Sequence, residues 1–436
     1  MIFPWKSLLK GALCCGLFTA FFGCVSEKQH QFDRADVSKP GFFPILPWDP
    51  YHGWGQPSVE NRKQGLASIA DCNFNLAGFV LPRDLPRCRK LGLGAIVLTT
   101  DPAFTNVQYI YQWKKLSDAE IDRRVKIAVQ AAGSDPAIVG YFINDEPGAS
   151  DFPALAKAVA SVKKYAPGKL AYINLFPNYA TLGAPDASQL ETSSYTEYLE
   201  RFVAEVHPQL ISYDNYMVQY SMDLRDRNAA ANYYNNLLEV RRVGLEHHLP
   251  YLNIVSSCQL LKDKPIPSPA NLLFQVYTTL AAGYRGVTWY TYFGDFYPYA
   301  PLAKSGEKTP TWALLQDVNH QVATLAPILS RLTSTGVYFN APPVDSLPLL
   351  PGKLVKSVTC SNPVMVGEFA DGMGQCYAMI VNLSLEQSAK FTLTTNPAGR
   401  TLRLVSATDG ALRPIDAAAG LWLTPGQGVL FSIGKE

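Results

Sequence analysis

Residues 140–147 read Gly-Tyr-Phe-Ile-Asn-Asp-Glu-Pro. An apolar run stops abruptly at Asn144, Asp145, Glu146 and Pro147. A buried strand that ends this way carries acid groups to the mouth of a scaffold. Two adjacent carboxyls repel and shift each other's proton affinity, which suits proton transfer. The plainer account is a solvated turn, in which Asp-Glu-Pro merely opens the next helix. The rest of the chain decides between them.

On both sides of this stretch, apolar strand-like runs alternate with helical patterns. The strands are predicted at 41–46, 74–80, 95–99, 138–143, 170–174, 210–213, 251–255 and 286–290. Helices are predicted at 117–132, 150–165, 195–206, 228–245, 268–282 and 311–332, the first opening on the capping box Ser117-Asp118-Ala119-Glu120. Alternation of this kind argues for parallel βαβ units, and continuous apolar strands argue for burial on both faces. The expected fold class is α/β, a (β/α)8 TIM barrel over residues 41–335. An open doubly wound sheet is the alternative, but no glycine-rich phosphate loop follows the first strand. Beyond residue 335 the helical period gives way to short alternating strands at 353–359, 364–369, 376–382, 390–394, 401–406 and 428–433. These predict a small antiparallel β-sandwich over 353–436, joined by a proline-rich linker at 336–352.

The N-terminus reads as a targeting segment. Lys6 and Lys10 precede or flank a short apolar run at 11–23, too short to span a bilayer comfortably. Phe21-Phe22-Gly23-Cys24 resembles a lipobox, so residues 1–23 are expected to be a lipoprotein signal peptide. Cys24 then carries the lipid and 24–40 forms a tether, which gives an exported periplasmic or cell-surface lipoprotein. An ordinary secretory signal cleaved nearby is the alternative. Of the remaining cysteines, Cys360 with Cys376 is a candidate disulfide, and Cys72 with Cys88 a weaker one.

Of the 436 residues, 47% are hydrophobic and 17% charged, with a net charge of +2 and no basic stripe or long charge run, so no nucleic-acid partner is expected. The six histidines are scattered without ligand spacing, so neither a metal nor a cofactor is expected.

In a barrel of this kind catalysis belongs at the C-terminal strand ends. Those ends offer Trp48, Asp49 and His52 after strand one, and Asn144, Asp145 and Glu146 after strand four. Asn174 ends strand five, Asp214 and Tyr216 follow strand six, and Trp289 and Tyr292 close strand eight. Carboxylates, amides and rings together suit a carbohydrate, whose hydroxyls need paired donors and acceptors.

With Asn144-Asp145-Glu146-Pro147, Trp289-Tyr290-Thr291-Tyr292 and Leu423-Thr424-Pro425-Gly426-Gln427-Gly428 on view, the chain resembles clan A glycoside hydrolases. In these an Asn-Glu-Pro-type acid/base follows strand four of a barrel often backed by a β-sandwich; the family 42 β-galactosidases are one comparison of architecture. The resemblance covers about residues 41–436 and makes Glu146 the acid/base. It also implies a nucleophilic glutamate at the end of strand seven, where this chain has Ile254-Val255-Ser256-Ser257-Cys258-Gln259. Three substitutes are open. Asp214 is the partner carboxylate, or Asp145 and Glu146 serve a substrate-assisted route, or a shifted register brings in Asp295 or Asp49. Carboxyl separations of about 5–5.5 Å would mark a retaining pair and about 6.5–9.5 Å an inverting one. The expected activity is cleavage of a glycosidic bond in an oligo- or polysaccharide. The alternative is a lipid-anchored carbohydrate-binding protein on a degenerate barrel.

Overall fold

The computed structural model describes residues 41–48, 65–99, 112–181, 188–220, 224–294, 296–416 and 418–434. Eight parallel strands form one sheet: β1 (Ile45–Pro47), β2 (Leu76–Val80), β3 (Gly94–Leu98), β4 (Ile138–Asp145), β5 (Leu170–Leu175), β6 (Ile211–Asp214), β7 (Tyr251–Ser256) and β8 (Val287–Tyr290). The ladder runs β1-β8-β7-β6-β5-β4-β3-β2. At the seam between β1 and β2 a side chain supplements the backbone bond from Asn75 N to the Ile45 carbonyl (3.2 Å). Asn75 Nδ2 donates to the Phe43 carbonyl (2.9 Å), and Ile45 N donates to Asn75 Oδ1 (2.8 Å). Helices between the strands cover the outside, so the sheet is the expected (β/α)8 barrel.

Strand alternation sorts the apolar residues into two cores. Leu46, Leu76, Ile96, Phe142, Tyr172, Leu252 and Ile254 fill the barrel interior. Ile45, Ala77, Val97, Tyr141, Ile173, Val255 and Val287 face the helices. Helix starts follow their caps. Ser117 Oγ accepts from Glu120 N, and Ser117 N donates to Glu120 Oε2, completing the capping box of helix Asp118–Ala132. Ser268 caps Pro269–Ala281 by accepting from Asn271 N, and Asp226 caps Arg227–Glu246 by accepting from Ala229 N, each cap contributing about 1 kcal/mol.

The last barrel helix, Pro310–Leu329, stops short of the expected 332, because Leu332–Phe339 is already a strand of the following sheet. That sheet has six strands, and a three-stranded sheet (Val355–Cys360, Ala389–Thr395, Leu421–Leu423) lies against it. Val358, Val366, Ile380, Phe391, Leu423 and Phe431 form the core between them, as in a β-sandwich. Residues 336–352, read from sequence as a linker, are themselves packed, with Val344 and Leu347 buried. Buried Glu368 secures their end by accepting from the backbone N–H groups of Lys353, Leu354 and Val355 (3.0, 2.9 and 2.8 Å). The expected disulfides do not form. Cys72, Cys88, Cys360 and Cys376 are free; the first two fill the apolar core, and the last two lie on strands of different sheets. No helix among the described residues is long and apolar enough to cross a membrane. Cys24 and residues 1–40 lie outside the described residues.

Candidate active site

Inward-facing residues of β4, β5 and β6 build two polar layers at the C-terminal mouth. On β5 and β6 simple alternation suffices. Tyr172 and Asn174 point inward, as do Ser212 and Asp214. On β4 a bulge intervenes. Phe142 pairs with Tyr172, but Asn144 pairs with outward-facing Ile173 and Asp145 with Asn174. The extra residue inverts the alternation, so Asp145 rather than Asn144 enters the mouth.

A hydrogen-bonded relay then fixes every orientation. Ser212 Oγ donates to Asn174 Oδ1 (3.0 Å), which leaves the Ser212 oxygen to accept from the Tyr172 hydroxyl (3.1 Å). With its oxygen so engaged, the Asn174 amide turns both N–H groups to carboxyls, donating to Asp145 (3.0 Å) and Asp214 (2.9 Å). The Trp48 indole also faces Asp145 and opposes the rise in its proton affinity. Its ring packs edge-on to Phe79, Phe142 and Tyr172 at 4.7, 5.7 and 5.4 Å, so it cannot swing away freely.

Glu146 follows with φ +45°, a left-handed backbone that non-glycine residues seldom adopt. Such strain costs about 1–3 kcal/mol and gathers at functional sites. Its N–H still donates to the Asn174 carbonyl (2.9 Å), and Tyr198 OH donates to the next carbonyl, of Pro147 (2.6 Å). The Glu146 side chain turns toward Asp214, and the two carboxyls interact directly.

All three acids hold protons more tightly than usual. Burial and the charge of Glu146 push Asp145 up to about 8. Burial and the charge of Asp145 push Asp214 up to about 7, against the pull of its bond from Asn174 and its contact with Glu146. Desolvation and the Asp214 charge raise Glu146 as well. Glu146 keeps an exposed surface, so solvent tempers the desolvation, and contact with Asp214 is the firmer cause. Two carboxyls in such contact cannot both carry a charge cheaply, so the pair retains a proton between them. A carboxylic acid in contact with a carboxylate, and open on one side to solvent, is equipped to hand a proton to a bound oxygen.

Trp48, Asp145, Glu146, Asn174 and Asp214 therefore come together. Half-buried Tyr216 stands beside them, its ring 5.7 Å from that of Tyr290. Three expected residues do not join them. Asn144 is buried away from the mouth, its Oδ1 without a hydrogen-bond partner. Trp289 faces the outer core and donates to Asn319 Oδ1 of helix Pro310–Leu329 (2.8 Å). Tyr292 is fully buried, its hydroxyl held by Ser68 and by Trp312 Nε1 (2.8 Å from the latter). Asp49, His52 and Asp295 lie outside the described residues. Tyr290, which stands in the strand-eight motif between the two residues expected at the site, is the one that faces inward on β8 in place of Trp289. Tyr172 and Ser212 were missed as supports; their i−2 spacing from Asn174 and Asp214 was the available signal.

The end of β7 is closed by its own bonds. Ser256 N donates to Gln275 Oε1 (2.8 Å) and Ser256 Oγ to the Cys258 carbonyl (2.9 Å). Ser257 Oγ donates to the Thr291 carbonyl (3.1 Å). No acid stands there, and both hydroxyls are engaged. Among the described residues, no group of three or more His, Cys, Asp or Glu is arranged to hold a metal ion.

A catalytic mutant of a family 42 β-galactosidase from G. stearothermophilus superposes over 91% of this chain and 99% of its own. Its TM-score is 0.58 at 9% sequence identity. The two proteins share a fold. Shorter alignments reach a β-galactosidase from the psychrophilic Marinomonas ef1 (TM-score 0.47, 11% identity, 67% of this chain) and Ruminococcus gnavus β-glucuronidase (TM-score 0.42, 9% identity, 64% of this chain). This chain spans 63% and 50% of the lengths of those two proteins. No family model and no curated protein matches the sequence. The resemblance read from the motifs thus holds as one of fold: a (β/α)8 barrel with sheets behind it, as in known glycoside hydrolases.

Proposed function

We propose that this protein is a glycoside hydrolase in which Glu146 protonates the glycosidic oxygen. The observation that carries the reading is the contact between Glu146 and Asp214 on a strained backbone at the barrel mouth, with Asn174 bonded to both aspartates. Asp214 keeps the proton on Glu146 and Asp145 completes the acidic cluster.

Direct contact of Glu146 with Asp214 is closer than the flanking separations of about 5–5.5 Å or 6.5–9.5 Å that place two carboxyls on opposite faces of a sugar. With β7 also closed, this favours a substrate-assisted route, in which a 2-acetamido group of the sugar attacks its own anomeric carbon and Asp145 or Asp214 orients it. The test is a panel of oligosaccharides and 4-nitrophenyl glycosides, with and without 2-acetamido groups, followed by NMR of the released anomer. Expected are cleavage of 2-acetamido substrates with retention and a loss of at least about 100-fold in kcat for Glu146→Gln. Full activity of that variant would overturn the assignment of Glu146. Cleavage confined to sugars without the acetamido group would overturn substrate assistance alone. Saturable glycan binding with no product would favour the carbohydrate-binding alternative, which the missing acid on β7 motivates.

The lipobox-like Phe21-Phe22-Gly23-Cys24 supports export and anchoring through Cys24. Radiolabelled palmitate fed to expressing bacterial cells should enter the wild type and not Cys24→Ala. Equal labelling of both would refute the anchor.

A further inference from the structure

Beyond β8 the chain carries aromatic rings outward from the acids. Tyr216, two residues after Asp214, meets Tyr290 at 5.7 Å between ring centroids, with 35° between the planes. Tyr290 meets Tyr297 at 5.6 Å. The same loop exposes two further rings, Phe296 at 58% and Tyr299 at 51%. Large apolar side chains this exposed ordinarily cost solubility, and clustered beside a cleft they mark a binding surface.

Two features show that the loop is built to present them. Tyr299 sits at φ +59°, a strained conformation for an aromatic residue. The backbone on either side is pinned: Gln259 N donates to the Pro298 carbonyl (3.0 Å), and Thr309 Oγ1 donates to the Ala300 carbonyl (2.7 Å). A ring held at its post loses little conformational entropy when a ligand stacks on it.

We propose that the loop from Phe296 to Tyr299 is a stacking platform for a glycan chain, whose further sugar units lie on these rings while the bond to be cleaved sits at Glu146. The inference rests on the glycosidase reading. It adds that the natural substrate is an oligo- or polysaccharide rather than a simple monoglycoside. The occupant follows from chemistry and continuity. Ring contacts lead from Tyr216 through Tyr290 to Tyr297, which Phe296 and Tyr299 flank in the chain, and the C–H faces of pyranose units offer flat apolar surface to stack on such rings. The ring hydroxyls of Tyr297 and Tyr299 are available to bond sugar hydroxyls at the edges.

The test uses the full chain with Tyr299→Ala and the double variant Phe296→Ala/Tyr299→Ala, their folding checked by thermal melting. Hydrolysis is compared on di- to hexasaccharides of the sugar identified by the panel. In parallel, each protein is run through native gels containing galactan, xylan, β-glucan or glycol chitin. The wild type should gain in kcat/KM with chain length and be retarded in at least one gel. The double variant should lose at least fivefold of the gain from di- to tetrasaccharide and run unretarded. Hydrolysis with an unaltered chain-length dependence would overturn the platform and leave the glycosidase reading standing. Retardation lost in the variant, with no hydrolysis by the wild type, would keep the platform and overturn that reading. Neither hydrolysis nor retardation would overturn both.

Discussion

One amide, Asn174, sets the positions of two aspartates, and a third acid leans on one of them. The cost of gathering three carboxyls appears as retained protons, and it makes stability depend on pH with a definite sign. Asp145 and Asp214 are raised from an ordinary 3.8 to about 8 and about 7. The folded chain therefore binds more protons than the unfolded chain above about pH 4. Stability is full below that point and falls as pH rises through 7 and 8. Melting temperature should drop from pH 5 to pH 9, and Asp214→Asn should flatten the slope. At pH 8 that variant should be more stable than wild type by about 1–2 kcal/mol, since it removes a buried charge and keeps an acceptor for Asn174. Equal slopes in both proteins, measured by calorimetry, would show that the cluster ionises normally.

At the scale of elements, the barrel was legible because its strands are apolar throughout and its helices begin on recognisable caps. The same continuity hid which residues face the mouth. Trp289 and Tyr290 are neighbours in an apolar strand buried on both sides, so composition gives no phase. Partners decide it: Asn319 takes the Trp289 indole outward, and Tyr290 turns to Tyr216. On β4 the phase depends on a bulge, which no periodicity announces, and so Asn144 was assigned where only Asp145 reaches. Asn174 and Asp214 were readable because each is the last inward residue of its strand, and Asp145 because its apolar strand stops abruptly at adjacent carboxyls. The strand Leu332–Phe339 was missed for a different reason, since its alternation follows directly on a helical pattern of similar apolar content.

The junction between barrel helix and sheet is as tight as backbone allows. A Cβ at Gly367 would fall on the Ala281 carbonyl, and one at Gly428 on the Tyr277 ring. Helix Pro269–Ala281 and strand Val364–Asp371 are thus held together by bare backbone at that point. Gly367→Val should lower stability by about 2–4 kcal/mol through the displacement of one element from the other. A melting temperature within one degree of wild type would mean that the junction yields without cost.

For the whole molecule, the cores of barrel and sheet are continuous. Phe369, Met379 and Leu430 of the sheet belong to the same buried cluster as Leu280 and Val322 of the barrel helices. The acid cluster sits at the ends of β4, β5 and β6, strands buried from both sides, and that rigidity lets three carboxyls stay close without relaxing apart. The glycosidase reading depends on this: a proton must stay at Glu146 near neutral pH. The most direct measurement is a carbon NMR titration of the side-chain carboxyls in protein labelled at Asp and Glu, with Glu146→Gln, Asp145→Asn and Asp214→Asn assigning the signals. The account predicts that at pH 7 the cluster still holds at least one proton and that Glu146 is its main bearer. Three carboxyls all titrating near pH 4 would contradict it.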